Sequence, residues 1–340
     1  MLTLNRIGIG TGAAKNLTVD LLHAAYDLGM NVVDTSPRCG SEEVVGKSLQ
    51  GRRDKVYVIT KVSPEHMKTK DVIASCERSL KVMGTDYIDL YTTHWPNPAI
   101  PVEETVAGLM KLRDQGKIRG VGVGNVSLRE LVQYRYLMPE INSVQNEYNL
   151  FDRSMEMVMF PYCEANKIQV FAYSPLDGGN FCGGPKTTSL LRRKVASYYN
   201  FPMSTLCLTY LLRNSFVFVL PRIKNVKKLK EFESVGLFSK SVYSDIKEVF
   251  VDNLEGFHSI KMLPSEIDLW LSSYKTIDDA THNYLGRSPE PLDMAKGELY
   301  LKPLKVRHEG TNYVLVEGFM RYWAHVLALG NDPIDVLVRE

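Results

Sequence analysis

The chain has 340 residues, 44% of them hydrophobic and 24% charged: ordinary globular proportions, enough for one large domain plus a small one or two medium ones. A formal net charge of +2 is too mild to point to nucleic acid or an acidic membrane surface. From His258 onward 9 Lys/Arg face 12 Asp/Glu, so the C-terminal part is not a basic arm.

Short apolar, β-rich runs alternate with helix-like stretches from the start. Strands are predicted at 6–11, 31–34, 55–61, 87–94, 118–123, 143–146, 169–173 and 217–220, with amphipathic helices at 20–28, 71–82, 102–115, 128–137, 155–165 and 204–213. Eight strands with intervening helices within about 240 residues predict a parallel (β/α)8 TIM barrel, an α/β fold. An open doubly wound sheet competes, but its glycine-rich turn is matched only in part by GIGTGAAKN. In a barrel the strand C-termini face the active site, and polar residues stand at those ends: Asp34, Lys61, His94, Asn125, Gln145 and Tyr173. A lone strand-end Asp caps a helix as readily as it serves chemistry; six such positions are harder to assign to structure alone. After 229 one more helix is predicted at 241–253, then a boundary at 254–256. From 257 the alternation is lost, with strands at 260–263, 302–307, 313–316 and 334–338 and helices at 267–274 and 320–329.

NVVDTSPRCGSEEVVGKSL, DYIDLYTTHWPNP, GKIRGVGVGNVS, VQNEYNL and FAYSPLDGG stand in the order and spacing of the aldo-keto reductase family, which residues 1–256 resemble. The resemblance implies NADP(H)-dependent reduction of a small carbonyl or sugar-like substrate, with Asp34, Lys61 and His94 in three of four catalytic positions. Cys39 stands where the family has tyrosine, the phenol that protonates the carbonyl oxygen as hydride arrives. A thiol is shorter and would not reach the same oxygen. Three readings stay open: another acid, such as His94 as imidazolium; Cys39 as a reactive thiol beside Lys61; or a redox-silent barrel serving a nucleotide-dependent kinase or regulatory sensor. By the same resemblance Asn125 and Gln145 would bond the nicotinamide carboxamide and Tyr173 would stack on the ring. Ser174, Leu176 and Gly178 would line the pyrophosphate path, while Arg222, Lys224 and Lys228 would hold the adenosine 2′-phosphate, favouring NADP(H). Two further departures are Gly124, where the family has serine, and Phe232, where it has asparagine.

The stretch KPLKVRHEGTNYVLVEGFMRYWAHVLALGNDPIDVLV resembles the ParB/sulfiredoxin-like fold, a small α+β unit expected over 257–340. That likeness implies a second nucleotide site, for ATP or CTP. Gly318 would give backbone access to a phosphate and Arg321 would pair with it, with Lys305 and Arg307 on the preceding strand adding charge. Sulfiredoxin's cysteine has no counterpart, since Phe319 fills its place, and no helix-turn-helix follows, so DNA is not an expected partner. Cys39, Cys76, Cys163, Cys182 and Cys207 are scattered without a CxxC pair, which fits free thiols rather than a disulfide framework or a metal site. The start MLTLNRIGIGTG lacks the plan of a secretion signal, and no run approaches ~18 apolar residues. A cytoplasmic protein without membrane contact is the expectation.

Overall fold

The computed structural model describes residues 2–12, 17–150, 153, 155–182 and 202–235, together with five strands beyond 256. Eight strands run parallel in sequence order: β1 (Ile9–Gly10), β2 (Val32–Asp34), β3 (Tyr57–Val62), β4 (Ile88–Thr93), β5 (Ile118–Gly124), β6 (Ser143–Glu147), β7 (Gln169–Tyr173) and β8 (Val217–Leu220). The bridges Ile7↔Val219 and Gly10↔Arg222 close the sheet into a barrel, with Gly8 N donating to Val219 O at 2.8 Å and Gly10 N to Pro221 O at 3.0 Å. Closure depends on glycine: a Cβ on Gly10 would stand 2.6 Å from Leu220 O.

The strands' two faces fill two cores, the period-2 alternation of a strand at work. Val32, Ile59, Leu90, Phe171, Phe218 and Leu220 pack inside the barrel, Phe171 and Phe218 stacked at 5.0 Å. A larger cluster lies between the strands and the helices α1 (Val19–Asp27), α2 (Glu42–Ser48), α3 (Thr69–Met83), α4 (Val102–Asp114), α5 (Leu128–Leu137), α6 (Met155–Ala165), α7 (Met203–Leu211) and α8 (Val226–Phe232). Local chemistry sets their ends. Thr18 caps α1, Ser127 and Glu130 form a reciprocal capping box on α5, and Gly84, left-handed at φ 64°, ends α3.

The predicted strands all appear. The helix at 204–213 is not amphipathic: every residue of α7 is buried, and Ser204 Oγ and Thr205 Oγ1 satisfy themselves by donating to Glu231. The seven-residue α2 escaped the periodicity reading. It packs so tightly on α3 that a Cβ on Gly46 would sit 2.3 Å from Met83 O.

Beyond 256 a separate five-stranded mixed sheet has the order β10-β12-β11-β13-β9. Its strands are β9 (Phe257–Met262), β10 (Ile267–Asp268), β11 (Leu304–Glu309), β12 (Asn312–Glu317) and β13 (Ile334–Arg339). Ile267 and Asp268 open a predicted helix, yet the structure places them in a strand, paired parallel with Tyr313 and Val314; sheet pairing overrides local propensity here. Lys305 and Arg307 lie on β11, in register with Glu317 and Val314 of β12. The helices expected at 241–253 and 320–329, and with them Gly318 and Arg321, fall outside the described residues.

Candidate active site

Asp34 ends β2 and Lys61 stands one residue before the end of β3, so neighbouring parallel strands carry both to the same rim. They are 8% and 6% exposed, and Lys61 Nζ donates to Asp34 Oδ1 at 2.5 Å and to the Thr35 carbonyl at 2.9 Å. With two acceptors among the described residues, one N–H of the ammonium is left for a ligand. Across the barrel, Gln145 of β6 donates from Nε2 to the same Asp34 Oδ1 at 2.9 Å. Gln145 is 3% exposed and its Oε1 is buried without a hydrogen-bond partner among the described residues. A buried polar oxygen left in that state is costly unless a ligand supplies the donor.

His94 follows β4, its backbone N–H donating to Val62 O at 2.9 Å and its ring set edge-on to Trp95 at 4.6 Å. Burial first, then the charges of Lys61 and Arg38, lower its pKa to about 3. This corrects the imidazolium reading: the ring is neutral at ordinary pH and can offer a hydrogen bond but not a ready proton.

Asn125 follows β5 at φ 53°, a left-handed conformation that asparagine adopts more readily than most non-glycine residues. Its Nδ2 donates to His94 O at 2.7 Å and its Oδ1 accepts from Tyr173 Oη at 2.7 Å. One of the two amide N–H groups and one lone pair of the oxygen thereby brace β4 against Tyr173. Asn146, missed in the sequence, pins the adjoining backbone: its Oδ1 accepts from Val126 N at 3.1 Å and its Nδ2 donates to Val126 O at 2.7 Å. The glycine at 124 also has a local cause, since a Cβ there would lie 2.4 Å from Thr93 O.

Cys39 closes a 3-10 turn, Pro37–Cys39, after β2. The thiol is half-buried and accepts from Ser36 Oγ at 3.0 Å. After β7, Ser174, Asp177, Gly178 and Gly179 all have positive φ, a run of left-handed backbone with Leu176 buried among them. Lys224 stands over this turn, its Nζ 4.0 Å from where a Cβ of Gly179 would be. Arg222 and Lys224 are exposed after β8 and have no ion pair among the described residues. Lys228 differs: its ammonium is held by Glu231, with Ser204 Oγ at 3.4 Å. Among the described residues no cluster of His, Cys, Asp and Glu is arranged to hold a metal ion, and no helix is long and apolar enough to cross a membrane.

Residues 5–250 match the Aldo/keto reductase family. Aldo-keto reductase YhdN of Bacillus subtilis is 36% identical over 58% of this chain; the match spans 63% of YhdN's own length, just under two thirds. An NADH-specific methylglyoxal reductase of Escherichia coli is 34% identical over 54% of this chain and 67% of its own. Among solved structures, an aldo-keto reductase from Klebsiella pneumoniae in complex with NADPH superposes with a TM-score of 0.67, at 28% identity, covering 73% of this chain and 91% of that one. These likenesses support an NAD(P)H-dependent oxidoreductase. With the strand order and the matched span agreeing, the chain belongs to the aldo-keto reductase family.

Proposed function

We propose that the barrel, residues 1–256, reduces a small carbonyl or sugar-like substrate with NADP(H), using a proton donor other than the family's phenol. The observation that carries this reading is the buried set Asp34–Lys61–Gln145, in which Gln145 Oε1 has no partner among the described residues. A carboxamide N–H is the kind of donor that acceptor needs, so the residues present fit a nicotinamide; Tyr173, braced by Asn125, offers the aromatic face beside it. The bound dinucleotide would supply hydride. Ser174, Leu176 and Gly178 would follow its pyrophosphate, and Arg222 with Lys224 would take the 2′-phosphate, while Lys228 is already occupied by Glu231.

The chain's own residues would manage the carbonyl oxygen. Neutral His94 donates a hydrogen bond to it, and Lys61 turns its third N–H toward it, the charge held in place by Asp34. Cys39 takes the tyrosine's position without its reach. Because a positioned general acid is typically worth about 10²–10⁴-fold, turnover of simple aldehydes should be slow. NADPH and NADH consumption over a panel of neutral and charged carbonyls is the test. Dinucleotide binding without consumption of either cofactor across the panel would replace this reading with the redox-silent sensor.

For residues 257–340 we propose a second unit of ParB/sulfiredoxin-like type that binds ATP or CTP, without DNA as a partner. A mixed sheet separate from the barrel strands supports a distinct unit, and Lys305 and Arg307 share one strand of it. Calorimetry of the full chain with each nucleotide, repeated on Arg321→Ala and Gly318→Val, tests the site. Unchanged binding in both variants, or none in the wild type, would leave the unit as a substrate-recognition appendage.

A further inference from the structure

The turns after β2, β3 and β4 each send one side chain into a common cluster that the proposed chemistry does not use. Arg38, on the turn that ends at Cys39, lies with Cζ 4.6 Å from the centre of the Trp95 ring. Trp95 in turn meets the His94 ring at 4.6 Å. Glu65, from the 3-10 turn Pro64–His66, closes the cluster with an ion pair to Arg38. The two side chains are 45% and 53% exposed.

We propose that Arg38 is a substrate-specificity residue that selects carbonyl compounds bearing an anionic group, a carboxylate or a phosphate, and that Glu65 occupies this anion site until substrate displaces it. The proposal rests on the carbonyl-reductase reading above and names the substrate class for it.

An indole face beneath a guanidinium fixes the cation's position while leaving its N–H edge open, so Arg38 is pre-set for a planar, two-toothed acceptor. The Glu65 carboxylate already at that edge shows that the site accepts such a group. Exposed ion pairs contribute little, since solvent screens them and two long side chains must be held still, so exchanging Glu65 for a substrate anion is easy. Two successive contacts of 4.6 Å link Arg38 through Trp95 to His94, which puts an anion at Arg38 within a short substrate's reach of the His94 ring. Arg38 and Lys61 are also the two charges that act on His94.

The test compares matched substrates in the full chain with saturating NADPH: 4-oxobutanoate against butanal for a carboxylate, and glyceraldehyde 3-phosphate against glyceraldehyde for a phosphate. The wild type should prefer at least one anionic member by tenfold or more in kcat/KM. Arg38→Gln should erase that ratio, mainly through KM, and Glu65→Gln should lower KM for the anionic member by removing its competitor. A ratio unchanged in Arg38→Gln would overturn the proposal while leaving the reductase reading intact. A second readout needs no turnover: the indole N–H resonance of Trp95, assigned by Trp95→Phe, titrated with succinate and with inorganic phosphate. A saturable shift, at least tenfold weaker in Arg38→Gln, supports the site even in a redox-silent barrel; equal titration of wild type and variant, or no shift with either anion at tens of millimolar, overturns it.

Discussion

Removing Asp34 is the most informative perturbation of the barrel rim. Its carboxylate accepts from Lys61 Nζ and Gln145 Nε2, and the side chains of the ion pair are only 11% and 7% exposed. Asp34→Ala leaves a buried ammonium with the Thr35 carbonyl as its remaining acceptor among the described residues and frees a second buried donor on Gln145. Stranding one partner of a buried pair costs about 3–5 kcal/mol. Replacing both members with apolar residues of similar size, Asp34→Leu with Lys61→Met, removes the stranded charge. The Gln145 amide and the Thr35 carbonyl then each lack a former partner, at up to about 1–3 kcal/mol apiece. Urea unfolding followed by circular dichroism, without cofactor, gives each value once the slopes are shown to agree. The single variant is expected to be the less stable of the two, and both to lose carbonyl reduction. A single-variant cost below about 1 kcal/mol, or a double variant less stable than the single, would show that the pair is solvated and that its burial does not govern the site.

Cys39→Tyr is expected to raise aldehyde reduction by about 10²-fold or more where the ring fits, and Cys39→Ala to leave it within a few fold; a Cys39→Ala variant devoid of activity would make the thiol a participant. Arg222→Ala should weaken NADPH binding by ~1–3 kcal/mol in calorimetry with little effect on NADH, and equal loss for both would remove the 2′-phosphate role. His94 has a folded pKa of about 3 against an ordinary value of 6.5, so between these the unfolded chain binds the extra proton and stability rises with pH. The contribution is full above 6.5 and is lost as pH falls toward 3, at up to about 1.4 kcal/mol per unit, and unfolding curves for His94→Asn should lack that part of the slope.

The barrel is legible because parallel strands buried on both faces become continuous apolar runs, such as YVIT before Lys61 or VFVL at β8, and these need no tertiary information to be seen. Elements that depend on their neighbours are not. The helix α2 is short and carries Gly46, a poor helix former whose reason is the Met83 carbonyl from α3 lying where a side chain would go. Nothing local announces that contact. The helix α7 is apolar all round because it is covered on every side, so its pattern has no polar face to read. Ile267 and Asp268 belong to a strand because β12 lies alongside them, a partner 46 residues away in the chain.

The site divides along the same line. Which polar residues end the strands follows from where the apolar runs stop, and the structure does bring Asp34, Lys61, His94, Asn125, Gln145 and Tyr173 to one rim. Their protonation and their free hydrogen-bonding capacity depend on which groups meet across the rim. Asn125 holds His94 O and Tyr173, Gln145 keeps an acceptor without a partner among the described residues, and Arg38 reaches Trp95 from a different turn. These facts bear on the proton donor. If a substrate anion settles on Arg38, it cancels the charge that bears least on His94, while burial and Lys61, the two larger causes of the lowered pKa, remain. The imidazole therefore stays neutral in the loaded site as well.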